Sequence, residues 1–371
     1  MKITFVMTYA GYSGGTRVIA THARELLARG HQVEVFSTAA RPAGLRRKVS
    51  SLLRSGKLPP VWKTGKSFLD GAGVPHTAID HYRPLGDHDL PDADVVVATW
   101  WETAPWVWNL SASKGAKAFF IQHYETWGGE ADDVDAAWRL PLHKIVISRW
   151  LAELAERKFG DREISHVPNS VDTKLFHAPP RPKQIRPTVG MLYNRHWIKG
   201  CDVALAAIAE ARKSLPEIEL IAFGAEPVKQ NNSLGPQSRF VLNPAQEQIR
   251  EIYAQCDVWL CGSRSEGFHL PPLEAMACRC PVVSTEVGGP MDTIDEGQNG
   301  FLVPVEDRAA LAGRLLHVLR LSDGQWREMS DAAYAKACRY TWQDAAALME
   351  KALEAAIAKG PIHGNSLGAA R

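Results

Sequence analysis

The sequence predicts an α/β fold of two Rossmann-like domains with parallel sheets; if the two sheets face each other across a cleft, a ligand lies between the domains. Three observations predict it. Short β-rich runs alternate with stretches of helical period along the whole chain, which is how βαβ units read. The alternation runs through twice, interrupted at 178–187 by A-P-P-R-P-K-Q-I-R-P, whose four prolines favour a stiff, extended connection. At 371 residues and 45% hydrophobic content, the chain exceeds the roughly 250 to 300 residues that one core organises.

In the first series, strands are expected over 3–8, 33–37, 95–99, 118–122, 145–148 and 164–167. Between the first two, Val18, Ile19, His22, Ala23, Leu26 and Leu27 share one helical face, and Gly30 stands where a glycine ends a helix. The second series places strands over 188–192, 220–223, 240–242, 258–261, 281–284 and 301–303. A last helix over 342–358 is apolar at Ala345, Ala346, Leu348, Met349, Ala352, Leu353, Ala356 and Ile357, a face suited to crossing back onto the first domain. The expected division is 1–177, linker 178–187, 188–340, helix 341–359, and a glycine-rich tail 360–371. No repeat of 20 to 50 residues points to a solenoid.

Lys and Arg number 43 against 41 Asp and Glu, so no global charge draws the chain to nucleic acid. No run approaches the roughly 18 apolar residues of a membrane span, and a cytosolic protein with free thiols at its six cysteines is expected. One local exception is 41–66, which holds Arg41, Arg46, Arg47, Lys48, Arg54, Lys57, Lys63 and Lys66 and no acid. There Leu45, Val49, Leu52 and Leu53 fall on one helical face. The segment reads either as a solvated helix packed on its own domain or as a peripheral contact with an anionic membrane, which at the inner face of the plasma membrane would bring a lipid-linked acceptor within reach.

Open α/β sheets bind ligands at the C-terminal ends of their strands. The loop after the strand at 258–261 is therefore informative: G-S-R-S-E-G-F-H-L-P-P-L-E-A-M-A-C-R-C-P-V-V, residues 262–283. Pro271-Pro272 suits a helix start, which would put Glu274 in the first turn, as a cap or as a ligand. Gly267 permits close backbone approach, and the amides of Phe268, His269 and Leu270 lead into a helix N-terminus that favours phosphate. Two carboxylates, Glu266 and Glu274, flanking a phosphate cradle suit a molecule with vicinal hydroxyls and a diphosphate.

The segments E-G-F-H-L-P-P-L-E-A-M-A, C-P-V-V-S-T-E-V-G-G-P and E-G-Q-N-G-F-L-V closely resemble family 4 retaining glycosyltransferases, which have the GT-B fold. G-G-T-R at Gly14 to Arg17, I-Q-H ending at His123, V-P-N-S-V-D at Val167 to Asp172, and Lys199-Gly200 extend the resemblance over nearly the whole chain. It implies transfer of a sugar from a nucleoside-diphosphate sugar to a glycan or other hydroxyl acceptor, in polysaccharide or glycoconjugate biosynthesis. By position, Glu274 would bind the donor ribose, Glu266 would face the transferred sugar, and Lys199 would hold the diphosphate. The amides of Phe268, His269 and Leu270 would take sugar hydroxyls and the distal phosphate. Gly14 and Gly15 would approach the donor phosphates, and His123 would lie beside the donor sugar.

The chain departs from the family at two places. Met191 follows Gly190 where an arginine is usual, leaving Arg195 as the nearest substitute on the diphosphate, and His269 and Arg279 replace common glycines. Acceptor contacts are expected at Trp101 and Tyr124; in T-W-W-E-T, extended backbone would send Trp100 and Trp101 to opposite sides, one to the core and one to a stacking platform. No cofactor and no metal are expected, since Asp132, Asp133, Asp292 and Asp295 read as helix-start or loop acids. A sugar-nucleotide epimerase and a catalytically silent sugar-nucleotide-binding protein are the alternative functions.

Overall fold

A computed structural model describes residues 1–42, 52, 66–229 and 234–360. The chain divides into two compact units: Met1–Val167 together with Gln343–Arg371, and Pro168–Trp342. The basic window, apart from residues 41, 42, 52 and 66, lies outside the described residues, as does the tail from 361. Among the described residues, no helix is long and apolar enough to cross a membrane.

The first unit holds a seven-stranded, all-parallel sheet in the order β3-β2-β1-β4-β5-β6-β7. Its strands are β1 (Lys2–Met7), β2 (Gln32–Ser37), β3 (His76–Ala78), β4 (Val95–Ala98), β5 (Ala116–Ile121), β6 (His143–Val146) and β7 (Ser165–His166). Every residue of β4 and β5 is buried, which explains their unbroken apolar reading. Lys117 in β5 is accommodated because its amine donates to the Trp108 and Leu110 carbonyls at 2.7 and 2.5 Å. Helix α1 (Gly14–Ala28) opens on Ser13, whose hydroxyl accepts the Thr16 amide, and ends before Gly30 at φ +89°. The short edge strand β3 was not expected: with three residues, two of them exposed, it has no pattern to read.

The helix Trp342–Ala358 belongs, from Gln343 on, to this first unit. Ala345, Ala346, Met349 and Leu353 are wholly buried, and Glu350 accepts from Arg29 and from His31 just beyond α1.

The second unit is a six-stranded parallel sheet in the order β10-β9-β8-β11-β12-β13. Its strands are β8 (Thr188–Leu192), β9 (Glu219–Gly224), β10 (Ser238–Leu242), β11 (Val258–Cys261), β12 (Val282–Thr285) and β13 (Gly300–Val303). Residues 168–187 go with this unit, so the boundary falls ten residues before the expected end of the first domain. The proline-rich stretch is fastened along it: Arg181 donates to the Ala254 and Cys256 carbonyls at 2.7 and 2.5 Å, and Lys183 to those of Leu319 and Leu321 at 2.6 and 2.8 Å.

Both sheets share one winding order, reversing direction between β1 and β4 and between β8 and β11. Ligand crevices form beyond the C-terminal ends of strands at such reversals.

Candidate functional site

In the second unit, the loops after β8 and β11 are locked together through glycines. A Cβ on Gly200, at φ +53°, would lie 1.7 Å from the Gly262 carbonyl oxygen, so only glycine fits there. The Arg264 amide donates to the Ile198 carbonyl at 2.7 Å, joining the same loops. Deeper in β8, a Cβ on Gly190 would lie 2.5 Å from the Trp259 ring, which accounts for that glycine by packing alone.

This junction sets Lys199 beside Glu266. The Lys199 amine lies 2.8 and 3.0 Å from the two Glu266 carboxylate oxygens, and the Ser263 hydroxyl donates to Oε1 at 2.8 Å. Glu266 is 5% exposed. Burial pushes its pKa up, but the neighbouring His269 and Lys199 and the hydroxyl of Ser263 outweigh that, and the carboxyl lies below its ordinary value. His269, with Nε2 3.6 Å from Glu266 Oε1, is pulled down to about 4 by burial. It is neutral at pH 7, where Lys199 is the charged neighbour bonded to Glu266.

The glycine pair 288–289 supports this loop from below. A Cβ on Gly288 would lie 2.7 Å from the Glu266 carbonyl oxygen, and the Gly289 amide donates to the Phe268 carbonyl at 2.6 Å. The next helix is Leu270–Ala277, capped by His269 in the left-handed region at φ +70°. It therefore begins one residue before Pro271, and Glu274 stands just past the first turn, where it does not cap the helix. Glu274 is instead buried within the unit, and the Tyr253 hydroxyl donates to its Oε2 at 2.9 Å. Pro271 and Pro272 carry no N–H. Among the described residues, the amides of Phe268, His269 and Leu270 have no protein acceptor.

Arg195, expected near a diphosphate, directs its guanidinium to the Pro227 carbonyl at 2.6 and 3.1 Å, with Glu226 at 3.8 Å. Among the described residues, no bond joins Arg195 to Lys199 or Glu266.

In the first unit, Gly14 and Gly15 form the first turn of α1 after β1, with the Gln122 amide donating to the Gly15 carbonyl at 3.3 Å. His123 follows, edge-on to Trp127 and Trp150 at 6.0 and 5.9 Å between ring centres. Tyr124 is occupied structurally: its hydroxyl donates to Asp135 at 2.5 Å, and Lys158 reaches both. Trp100 and Trp101 are not extended, because the Thr103 hydroxyl accepts the amides of Thr99 and Trp100 at 3.0 and 3.1 Å and curls the chain. Trp101 is the core member, packed where a Cβ on Gly129 would come within 2.5 Å of its ring. Trp100 is half-buried and meets Trp127, itself 46% exposed, edge-on at 5.6 Å. Sequence reasoning missed Ser263, Tyr253 and Trp127, which reach their partners through the tertiary fold. Only Ser263 left a local trace, three positions before Glu266.

Among the described residues, no group of three or more His, Cys, Asp or Glu side chains could hold a metal ion.

Two family profiles match the chain in succession: one described as Glycosyltransferase Family 4, over residues 12–175, and one described as Glycosyl transferases group 1, over residues 186–321. D-inositol 3-phosphate glycosyltransferase of Acidothermus cellulolyticus is 29% identical over 241 residues, 58% of this chain and 53% of its own length. The GtfA subunit of the UDP-N-acetylglucosamine–peptide N-acetylglucosaminyltransferase of Streptococcus gordonii is 28% identical over 189 residues, 48% and 37% of the two chains. The chain thus spans about half or less of the length of these relatives. Sucrose-phosphate synthase from Thermosynechococcus elongatus superposes with a TM-score of 0.72 at 17% identity, over 97% of this chain and 100% of that one. Anabaena HepE in complex with UDP-glucose superposes with a TM-score of 0.70 at 18% identity, over 96% and 99%. At such identities the likeness establishes the fold.

Proposed function

The chain belongs to the group 1 glycosyltransferases of the GT-B fold, and on that premise we propose that it moves a sugar from a nucleoside-diphosphate sugar to a hydroxyl acceptor with retention at the anomeric carbon. The observation that carries the reading is the half-buried Lys199 paired with the buried Glu266 at the β8/β11 reversal, beside three amides that have no protein acceptor among the described residues. A diphosphate offers more charge to Lys199 than one carboxylate does, so donor entry draws the amine from Glu266 onto phosphate and frees Glu266 for sugar hydroxyls. The amides of Phe268, His269 and Leu270 add neutral donors to the phosphate and the sugar. Glu274, steadied by Tyr253, takes the ribose.

In a retaining transfer the acceptor attacks from the face the diphosphate leaves, and the leaving phosphate oxygen takes the acceptor's proton. The protein's part is to position both and to stabilise the negative charge that grows on the diphosphate. Lys199 and the loop amides supply that stabilisation, so turnover needs no divalent cation. The two relatives are named for different acceptors, an inositol phosphate and a peptide, and the acceptor class proposed for this chain is a hydroxyl-bearing glycan or glycoconjugate.

The test is acceptor-dependent release of nucleoside diphosphate from a panel of UDP, GDP and ADP sugars, run with excess EDTA. Release that persists in EDTA and falls at least tenfold in Lys199→Ala is expected. Activity abolished by EDTA and restored by magnesium would overturn the metal-free mechanism, and full activity in Lys199→Ala would overturn the site.

A further inference from the structure

His269 combines three features that packing alone does not require. It carries a β-carbon at φ +70°, ψ 78°, in a region that glycine adopts readily and other residues rarely do. Its imidazole is only 5% exposed. Its Nδ1 is buried and has no hydrogen-bond partner among the described residues. A strained conformation holding a buried, partly unsatisfied polar ring is the kind of outlier that marks a ligand site.

The surroundings determine what Nδ1 offers. Nε2 faces Glu266 Oε1 at 3.6 Å, longer than a hydrogen bond, and Glu266 is ionised. An ionised carboxylate only accepts, so the single proton of the neutral ring belongs on Nε2. Nδ1 is then a lone pair, and its partner must bring an O–H or N–H. A sugar carboxylate would set acceptor against acceptor and a second negative charge near Glu266. Lys199, the cation bonded to Glu266, is already committed to that carboxylate and, in the reading above, to the diphosphate.

We propose that His269 reads the donor's transferred sugar, its Nδ1 accepting a hydrogen bond from a hydroxyl of a neutral hexose and selecting such sugars against uronic acids. This inference rests on the glycosyltransferase reading and names the class of donor that site takes. His269 is thus a specificity residue of the donor pocket by its side chain, in addition to its amide.

The test uses the full chain and calorimetric binding of matched pairs, a hexose and its uronic acid carried on the same nucleotide (UDP, GDP and ADP in turn), beside each nucleoside diphosphate alone. The neutral sugar nucleotide is expected to bind at least tenfold tighter than its acidic partner. His269→Gly, which suits the backbone at φ +70°, is expected to narrow that ratio below threefold. His269→Asn, which tolerates the same backbone and retains an acceptor oxygen, is expected to restore part of the ratio. Equal binding of neutral and acidic sugars by the unaltered chain, or an unchanged ratio in His269→Gly, overturns the proposal. No binding of any nucleoside diphosphate overturns the parent reading, and this proposal with it.

Discussion

Glu274 differs from Glu266 in what holds it. Glu266 is gripped by a cation and a hydroxyl, whereas Glu274 has a tyrosine hydroxyl on one oxygen and lies just past the first helical turn. If it takes the ribose, Glu274→Gln removes a charged hydrogen bond worth about 1.5 to 3 kcal/mol. Donor affinity should then fall roughly 10- to 100-fold with little change in melting temperature. Tyr253→Phe should act in the same direction, by about 0.5 to 1.5 kcal/mol, through the loss of one neutral hydrogen bond. Calorimetry with the preferred donor checks both; a lower melting temperature with unchanged affinity would make Glu274 a purely structural carboxylate.

At the scale of elements, the site depends on two strand-to-helix connections meeting backbone to backbone at Gly200 and Gly262. Gly200→Ala adds a β-carbon where 1.7 Å separates it from a carbonyl oxygen, at a positive φ, so a cost above about 3 kcal/mol is expected. Urea unfolding measures it; a loss under about 1 kcal/mol would mean that the loops separate easily. How well each element could be read from sequence follows from its burial. The strands at 188–192 and 258–261 match observed β8 and β11 because a strand buried on both faces is an uninterrupted apolar run. Strand β3 left no such run, and the turn at Trp100 was hidden because its cause is one side-chain hydroxyl, that of Thr103. Within the site, Glu266, Lys199 and the loop amides could be picked out from the sequence. The bond between Lys199 and Glu266, 67 positions apart, could not, since it depends on β8 and β11 being neighbours. The helix start was misplaced by one residue because His269 adopts a backbone conformation that its residue type seldom does.

For the whole molecule, acid should be destabilising. His22, on the buried face of α1 and edge-on to Phe120, is completely buried, and burial lowers its pKa to about 3; burial likewise takes His143 in the same unit to about 4. The unfolded chain protonates these residues near pH 6.5 while the folded one does not, so stability is lost as pH falls below 6.5, by up to about 1.4 kcal/mol per pH unit for each. His22→Leu should therefore show a smaller drop in melting temperature between pH 7 and pH 5 than the unaltered chain; an equal drop would assign the effect elsewhere. The two units also differ in how the chain builds them. Pro168–Trp342 is contiguous and, expressed alone, should fold and bind the nucleoside diphosphate that the full chain binds; a fragment without cooperative melting would refute that. The first unit instead includes Ala345, Ala346, Met349 and Leu353 from the far side of the other. On the ribosome this inverts the expected order of completion. At about 5 to 20 residues per second, the sheet of the first unit waits roughly 10 to 40 s after residue 167 emerges before its last helix arrives. By then the later-synthesised unit already has every residue it needs, so the half of the protein that is made first is finished last, and during that interval its uncovered apolar face is the one a chaperone would meet.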